Sequence, residues 1–192
     1  MLDWLSRVFN RKPPHPGERW HERENLTVTV DVATGELRLD DGATVSLGGS
    51  RDSLQPFGRP HDAGKYSQDF FQYPKFGLLF TTEDGVIDSI SLDLVSGATP
   101  QLSVHGTPVD LKAMSTEADV VKLMGEPLYR NDEGFEDFGE IILEYRIREG
   151  VFAEWCFEDG RLVDVDFCDY GDDSLHPNAE GTQEPSDDEG VW

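Results

Sequence analysis

Residues 83–92 read Glu-Asp-Gly-Val-Ile-Asp-Ser-Ile-Ser-Leu, and residues 158–167 read Glu-Asp-Gly-Arg-Leu-Val-Asp-Val-Asp-Phe. Each stretch joins an Asp-Gly turn to alternating apolar residues, which is typical of a strand leaving a β-hairpin. The match extends upstream in one order: a hairpin, a short helix ending near a Gly-x-Pro, and three strands. Three pairs of matching residues give the spacing between the two copies. Leu37 and Leu102 are 65 residues apart, Gly58 and Gly125, which begin the Gly-x-Pro motifs, are 67 apart, and Asp84 and Asp159 of the Asp-Gly turns are 75 apart. A fixed order with drift only in the loops indicates one structural unit used twice.

The sequence therefore predicts an α+β fold, with two tandem hairpin-helix-three-strand repeats that form an antiparallel sheet with the helices packed on one face. By composition, the 192 residues divide into an N-terminal helix and linker (1–24), repeat 1 (25–97), repeat 2 (98–168) and an acidic disordered tail (169–192). The tail contains eight acids, no Lys or Arg and few apolar residues. Such a composition cannot bury enough apolar surface to fold.

Two helix starts can be located from capping residues. Ser50 is suited to cap a short helix that stops at Pro56 or Gly58. Thr116 and Asp119 resemble a capping box for a second helix, which Gly125 should end. Two polar loops are expected at 61–69 and 128–139.

The register of the last three strands follows from the turns. We expect Gly150 and Gly160 each to close a three-residue loop, because this choice pairs Leu143 with Trp155 and Trp155 with Val163 and so places these apolar side chains on one face. The opposite face then carries a row of carboxylates. Glu144 lies opposite Glu154, Glu154 lies opposite Asp164, and Asp166 is diagonal to Glu154.

Apolar side chains flank the predicted carboxylates on the same face. Ile142, Cys156 and Leu162 form one row, and Phe152 lies on the other flank. Three interpretations of this face remain open: a solvated surface, a docking surface for a basic protein, and a metal site. Flat-sheet carboxylates lack the loop carbonyls that complete a calcium shell, so the metal site is the least favoured.

Neither the cysteines nor the histidines indicate an active site. In the expected register, Cys156 and Cys168 are six residues apart along the sheet, about 20 Å, too far for a disulfide. Unpaired cysteines favour a reducing compartment, and residues 1–9 lack the features of a secretory signal, so we expect a cytoplasmic protein. All five histidines fall in loops, linker or tail, and no Cys/His spacing suits zinc. We expect no enzyme activity and no cofactor.

The charge restricts the class of partner. The chain has 39 acids and 16 bases, a formal net charge of −23. Nucleic-acid binding needs clustered Lys and Arg, so it is excluded, whereas a basic protein surface would be attracted. No segment reaches the length of a membrane helix. Residues 1–9 place several apolar side chains on one helical face, which is consistent with an interfacial membrane helix or with a short helix docked on the body.

The motif order resembles known repeat families. The unit from Asp119 through Gly125-Glu126-Pro127 to Glu158-Asp159-Gly160 resembles the repeat of small outer-membrane assembly lipoproteins. The order of a hairpin, a helix ending in Gly-x-Pro and a three-stranded meander with an Asp-Gly turn occurs twice, and this duplication resembles the tandem-repeat fold of β-lactamase inhibitor protein. Residues 73–92 and 102–111 are similar to uncharacterised bacterial two-repeat families, which include immunity-type proteins. The resemblance covers residues 25–168, and its motifs are short and mostly structural, so they support the fold better than the function.

Taken together, these features predict an acidic inhibitor, most simply an immunity-type protein that neutralises a basic toxin across its sheet. Its contact residues would be acids for steering and apolar side chains for buried area: Glu144, Glu154, Asp164, Asp166, Phe152, Ile142 and Leu162. The alternative is a cytoplasmic scaffold or regulator held at the membrane face by the N-terminal helix. Loops 61–69 and 128–139 are the other candidate contact regions.

Overall fold

The computed structural model describes residues 14–61, 63, 67–96, 100–110, 116–132 and 139–172. These residues form a mixed, mostly β fold. Its twelve strands are β1 (Val28–Asp31), β2 (Glu36–Leu39), β3 (Thr44–Val45), β4 (Phe70–Tyr73), β5 (Leu78–Glu83), β6 (Val86–Asp93), β7 (Gln101–Val104), β8 (Thr107–Val109), β9 (Tyr129–Asn131), β10 (Glu140–Arg148), β11 (Val151–Glu158) and β12 (Arg161–Asp169).

The strands form two sheets. The five-stranded sheet has the order β3-β2-β1-β7-β8, and the seven-stranded sheet has the order β4-β5-β6-β12-β11-β10-β9. The prediction of one antiparallel sheet was wrong in two respects, because there are two sheets and β1 pairs with β7 in parallel. The extra strand β1, which precedes the first predicted hairpin, separates the two hairpins of the smaller sheet. Strand β9 lies in the predicted loop 128–139 and was not expected.

The helices among the described residues are short. Three are 3₁₀ helices (Pro16–Arg19, Arg51–Phe57 and Pro74–Phe76) and one is the α-helix α1 (Glu117–Met124). Both predicted caps are confirmed. The Ser50 side chain accepts a hydrogen bond from the backbone N–H of Asp52, and Thr116 with Asp119 forms a reciprocal capping box. These caps satisfy backbone N–H groups that have no partner inside a helix.

One apolar core joins the two sheets and the helices. Its buried members come from both sheets and from both capped helices, and Trp155, Phe80 and Phe167 are fully buried within it. The turn between β1 and β2 approaches the larger sheet closely, since a Cβ built on Gly35 would lie 3.0 Å from the Phe167 ring. Burial of this apolar surface is the main stabilising term of the fold.

Residues 14–24, part of the predicted linker, pack on this body. His15 is 4% exposed, and its ring hydrogen-bonds the carbonyl of Phe70 through Nε2 at 3.1 Å. The Trp20 ring stacks on Phe71 with ring centroids 5.6 Å apart. These contacts fix residues 14–24 beside the edge strand β4.

The first of the two final hairpins has the expected register. Leu143 pairs with Trp155 and Glu144 pairs with Glu154, as predicted. Only the pair next to the turn differs. A three-residue loop would pair Val151 with Ile147, whereas a register shift pairs it with Arg148.

The second hairpin does not have the expected register. Asp159 and Gly160 both have positive φ, 50° and 74°, so they form a two-residue turn of the type that matches strand twist. Pairing starts with Phe157 opposite Leu162, and a β-bulge at Val163 then restores the apolar face. Without this bulge, a two-residue turn would place Trp155 opposite Asp164 and mix the two faces, which is why the sequence favours a three-residue loop. Glu154 therefore lies opposite Asp166, not Asp164.

The Asp84-Gly85 hairpin repeats this geometry. Both turn residues have positive φ, Glu83 pairs with Val86, and the register shifts so that Asp88 is the bulged residue. Asp88 and Val163 are 75 residues apart, the same offset as the two Asp-Gly turns. The two three-stranded meanders thus share their turn and bulge.

The meanders meet through an antiparallel pair at the centre of the larger sheet. In the β6–β12 register, Ser89 lies opposite Cys168, Ser91 opposite Asp166, and Asp93 opposite Asp164. Ser91 and Asp166 are therefore the middle pair of these three, with one pair two residues away on each side.

Candidate binding face of the seven-stranded sheet

The outer face of the seven-stranded sheet, opposite the core, carries the predicted acids. One row of side chains, here called the central row, crosses all seven strands. Its members follow from the strand registers: Gln72, Leu79, Ser91, Asp166, Glu154, Glu144 and Tyr129. The first three are neutral and the next three are acids. Facing neighbours in such a row have Cβ atoms about 5 Å apart.

A second row lies beside the central row on the same face. It runs from Asp93 through Asp164 and Cys156 to Ile142. The sequence prediction missed Asp93, although it follows Ser91 by two residues and alternation alone puts both on one face. Asp93 and Asp164 are directly opposed like charges, which is an unfavourable cross-strand pair.

Partial burial raises the pKa values of three carboxyls on this face, those of Glu154, Asp164 and Asp166. Burial raises the pKa of Asp164 to about 6, and the neighbouring Asp166 charge adds to the rise. Burial also raises the pKa of Asp166, against a hydrogen bond with Ser91 that lowers it. For Glu154, burial raises the pKa, and a hydrogen bond from Tyr170 opposes the shift. In each case the desolvated carboxylate is disfavoured relative to the neutral acid.

Tyr170 covers one end of this face. Its ring packs edge-on against Phe152 with centroids 6.0 Å apart, and its hydroxyl donates to Glu154 Oε1 at 3.0 Å. The Phe152 side chain is only 2% exposed, so it cannot contact a partner, as predicted for it, while Tyr170 packs against it.

The other predicted contact residues divide into three groups. Leu162 is 1% exposed and belongs to the core, so its predicted place on the outer face was wrong; the bulge at Val163 turns it inward. Glu144 is on the outer face but is 4% exposed. Ile142, Glu154, Asp164 and Asp166 are on the outer face and partly exposed.

A pocket opens on this face where the two meanders meet. Its volume is about 380 Å³, and strands β4, β5, β6 and β12 line it. The lining residues are Gln72, Pro74, Gly77, Leu78, Leu79, Ser91, Asp93, Asp164 and Asp166. One side of the pocket is thus apolar and the other acidic.

Beside the pocket, Cys156 joins two of the lining aspartates in a candidate cation ligand set. Cys156, Asp164 and Asp166 each offer a ligand atom within 4.8 Å of the others. Burial raises the pKa of the Cys156 thiol far above its usual range, with a further contribution from the Asp164 charge. A metal bound here would have to displace the thiol proton, and two carboxylates fall short of a calcium shell. The raised pKa is also the opposite of what a cysteine nucleophile needs.

The two cysteines are far apart, although not in the expected register. Cys156 lies opposite Asp164 and Cys168 opposite Phe152, rather than opposite Leu162 and Gly150. The four-residue displacement between Phe152 and Cys156 corresponds to about 14 Å along the strand, beyond the range of a disulfide.

Some predicted regions lie outside the described residues, in whole or in part. The N-terminal helix, on which the membrane-face alternative depends, falls within residues 1–13, and most of the acidic tail falls within 173–192. Loops 61–69 and 128–139 are described only in part. Among the described residues, every helix is too short or too polar to cross a bilayer.

Comparison with known proteins gives no relative. No family model matches the chain, and neither a curated protein nor a solved structure matches it.

Proposed function

We propose that this chain is an acidic protein-binding inhibitor, of the immunity type, that neutralises a basic protein toxin by docking it on the outer face of the seven-stranded sheet. Glu154, Asp164 and Asp166 supply the charge that the partner meets, and Ile142 supplies apolar contact. Glu144 extends the charged row toward β9. Phe152 would take part only if Tyr170 moved aside.

The observation that carries this proposal is the asymmetry of the central row. Gln72, Leu79 and Ser91 occupy it on the first meander, whereas Asp166, Glu154 and Glu144 occupy it on the second. The Asp-Gly hairpins of the two halves have the same turn and the same bulge. The acids are therefore not required by the fold, since the first meander forms without them.

These acids also reduce stability. Like charges directly opposite on neighbouring strands are unfavourable by tenths of a kcal/mol, and partial burial adds a desolvation cost. Among the described residues, none of the ion pairs involves Asp93, Glu154, Asp164 or Asp166. A cation from a bound protein would relieve both the repulsion and the desolvation cost.

The net charge of −23 supports a basic partner on independent grounds. A field of one sign accelerates the encounter with an oppositely charged protein, and this advantage declines as salt screens it. Charge complementarity of this kind sets specificity and association rate more than affinity. The apolar neighbours of the acids supply area that can be buried on contact.

We further propose that the two meanders descend from one duplicated unit, as the sequence repeat indicates. The common 75-residue spacing of the Asp-Gly turns and of the bulged residues Asp88 and Val163 supports this.

The proposal is tested by capture from the native host. The full chain is immobilised, the host lysate is applied at low salt, and retained proteins are identified by mass spectrometry. We expect a basic protein that elutes at high salt and whose toxicity or enzymatic activity falls when the purified chain is added. A retained protein that keeps full activity at saturating chain, or no selective retention of any basic protein, would contradict the proposal.

A further inference from the structure

We propose that the pocket between the two meanders receives a single cationic side chain, an arginine or a lysine, from the bound protein. This inference rests on the proposed function and adds where the partner's anchoring residue enters. The two amino acids share the relevant chemistry, an aliphatic stem with a positive head.

The two walls of the pocket match the two parts of such a side chain. Pro74 and Leu79 form the apolar side, and Asp93 and Asp164 stand opposite each other on the acidic side. Lys and Arg side chains bury their methylene stems on apolar surface and keep the charged head in a polar environment. Asp93 Oδ1 already accepts hydrogen bonds from the backbone N–H groups of Val95 and Ser96. An apolar ligand would leave Asp164 Oδ1 without a donor, and a small hydrated ion would leave the apolar wall unused.

The size of the pocket also fits one side chain. Its volume of about 380 Å³ lies near the lower end of ligand pockets, which span about 300–1,000 Å³. A helix or a strand would not enter it. The pocket is therefore suited to one anchoring residue, while the rest of the partner would lie across the face.

Hydrogen-bonding capacity in the pocket is incompletely used. Asp164 Oδ1 is buried and accepts no hydrogen bond from the described part of the chain. Asp166 is already engaged by the Ser91 hydroxyl, which leaves acceptor capacity on the other carboxylate positions. A guanidinium offers five N–H donors and an ammonium offers three, so either head can bridge Asp93 and Asp164.

No cation of the described chain competes for this position. None of the residues that line the pocket is a lysine or an arginine, and the nearby Lys75 ammonium is paired with Glu22. Burial raises the pKa of Asp164 to about 6, and a cation held against this carboxylate would lower it again. Occupation of the pocket should therefore release protons at about pH 6, where the unoccupied carboxyl is still partly protonated.

The test is an NMR titration of the full chain with N-acetyl-arginine amide and N-acetyl-lysine amide at pH 7.5 and low salt. We expect saturable shifts with millimolar affinity for at least one cation, largest at the backbone amides of pocket residues Gly77, Ser91, Asp93, Asp164 and Asp166. N-acetyl-glutamine amide, which is polar and neutral, should produce no saturable shift.

Two double variants separate the pocket from the general negative field. Asp93→Asn with Asp164→Asn should weaken cation binding at least tenfold, whereas Glu83→Gln with Glu149→Gln, which removes the same charge from two exposed turns, should change it less than twofold. Both variants should retain the amide spectrum of a folded chain.

Three results would overturn the inference: no saturable shift with either cation, an equal response to the glutamine amide, or equal weakening by the two double variants. These results are distinguishable from failure of the proposed function. Absent cation binding together with retention and inhibition of a basic toxin would refute the pocket alone. Cation binding without any retained basic protein would refute the inhibitor function.

Discussion

Ser91 on β6 and Asp166 on β12 face each other at the centre of the seven-stranded sheet, and they also stand 75 residues apart, at matching positions after the two Asp-Gly turns. The Ser91 hydroxyl hydrogen-bonds the Asp166 carboxyl. The β6–β12 register continues on both sides of this pair, with Ser89 opposite Cys168 and Asp93 opposite Asp164. The neutral and the acidic halves of the central row meet at this pair, and the pocket opens beside it.

The first prediction concerns the pH dependence of stability. The pKa of Asp164 is raised to about 6 in the folded chain, so the folded state binds the proton more tightly than the unfolded state. Its contribution to stability is present below the unfolded pKa of about 4 and is lost as pH rises to about 6. After allowance for solvent screening, we expect a loss of about 1 kcal/mol in the free energy of unfolding from this group.

Urea unfolding between pH 4.5 and 7.5 measures this loss. Asp164→Asn should flatten the decline and should be more stable than the wild type at pH 7. Glu83→Gln controls for the loss of one exposed charge. A wild-type stability that rises steadily with pH through this window, or an Asp164→Asn profile parallel to wild type, would contradict the assignment.

The second prediction concerns the two Asp-Gly turns. Gly85 and Gly160 have φ of 81° and 74°, and a Cβ on Gly160 would meet nothing within 4 Å. The cost of Gly160→Ala is therefore conformational, about 1–2 kcal/mol, and Gly85→Ala should cost a similar amount.

Denaturant unfolding checks this pair of values, with Gly160→Asn as the comparison because asparagine tolerates the left-handed region. Gly160→Asn should lose less stability than Gly160→Ala. If Gly160→Ala were as stable as wild type, the turn would not have the two-residue form that fixes Asp166 opposite Glu154.

The third prediction tests the packing of the two sheets. A Cβ on Gly35 would lie 3.0 Å from the fully buried Phe167 ring, and φ at Gly35 is 69°. Gly35→Ala therefore combines conformational strain with overpacking and should destabilise by about 2–4 kcal/mol, more than Gly160→Ala.

A double-mutant cycle isolates the contact. In a Phe167→Leu background the smaller side chain should relieve part of the clash, so Gly35→Ala should cost less there. Equal costs of Gly35→Ala in the two backgrounds would mean that the β1–β2 turn does not pack on Phe167.

The fourth prediction concerns the thiols. Cys156 is 9% exposed and burial raises its pKa far above the usual range; burial also raises the pKa of the Cys168 thiol to about 12. Because the thiolate is the reactive species, both cysteines should react with a disulfide reagent at pH 8 far more slowly than free cysteine. Both should react rapidly in guanidinium, where the chain is unfolded. Rapid labelling of Cys156 in the folded chain would contradict the burial of its thiol in the outer face.

The sequence was sufficient for most element positions and for the inward face. Alternation placed Trp155 in the core, the capping residues located both helices, and the register of the β10–β11 hairpin placed Glu144 opposite Glu154. These features depend on local patterns of two to four residues, which a single sequence carries directly.

The sequence was insufficient where two alternatives differed by one residue. A three-residue loop and a two-residue turn followed by a bulge both keep the apolar side chains on one face, and only the second agrees with positive φ at Asp159. The parallel pairing of β1 with β7 depends on contacts between residues about 70 apart, which no local pattern specifies. The position of Asp93 opposite Asp164 likewise depends on the pairing of β6 with β12, which brings together residues about 70 apart.

The most direct test of the account is the dissociation constant of the captured basic protein, measured by calorimetry at low salt. The face variant combines Glu154→Gln, Asp164→Asn and Asp166→Asn, and the control combines Glu18→Gln, Glu83→Gln and Glu149→Gln, which removes the same charge from exposed positions elsewhere. We predict that the face variant binds at least 100-fold more weakly while the control changes less than threefold. Equal weakening of the two variants would contradict binding through the acidic face.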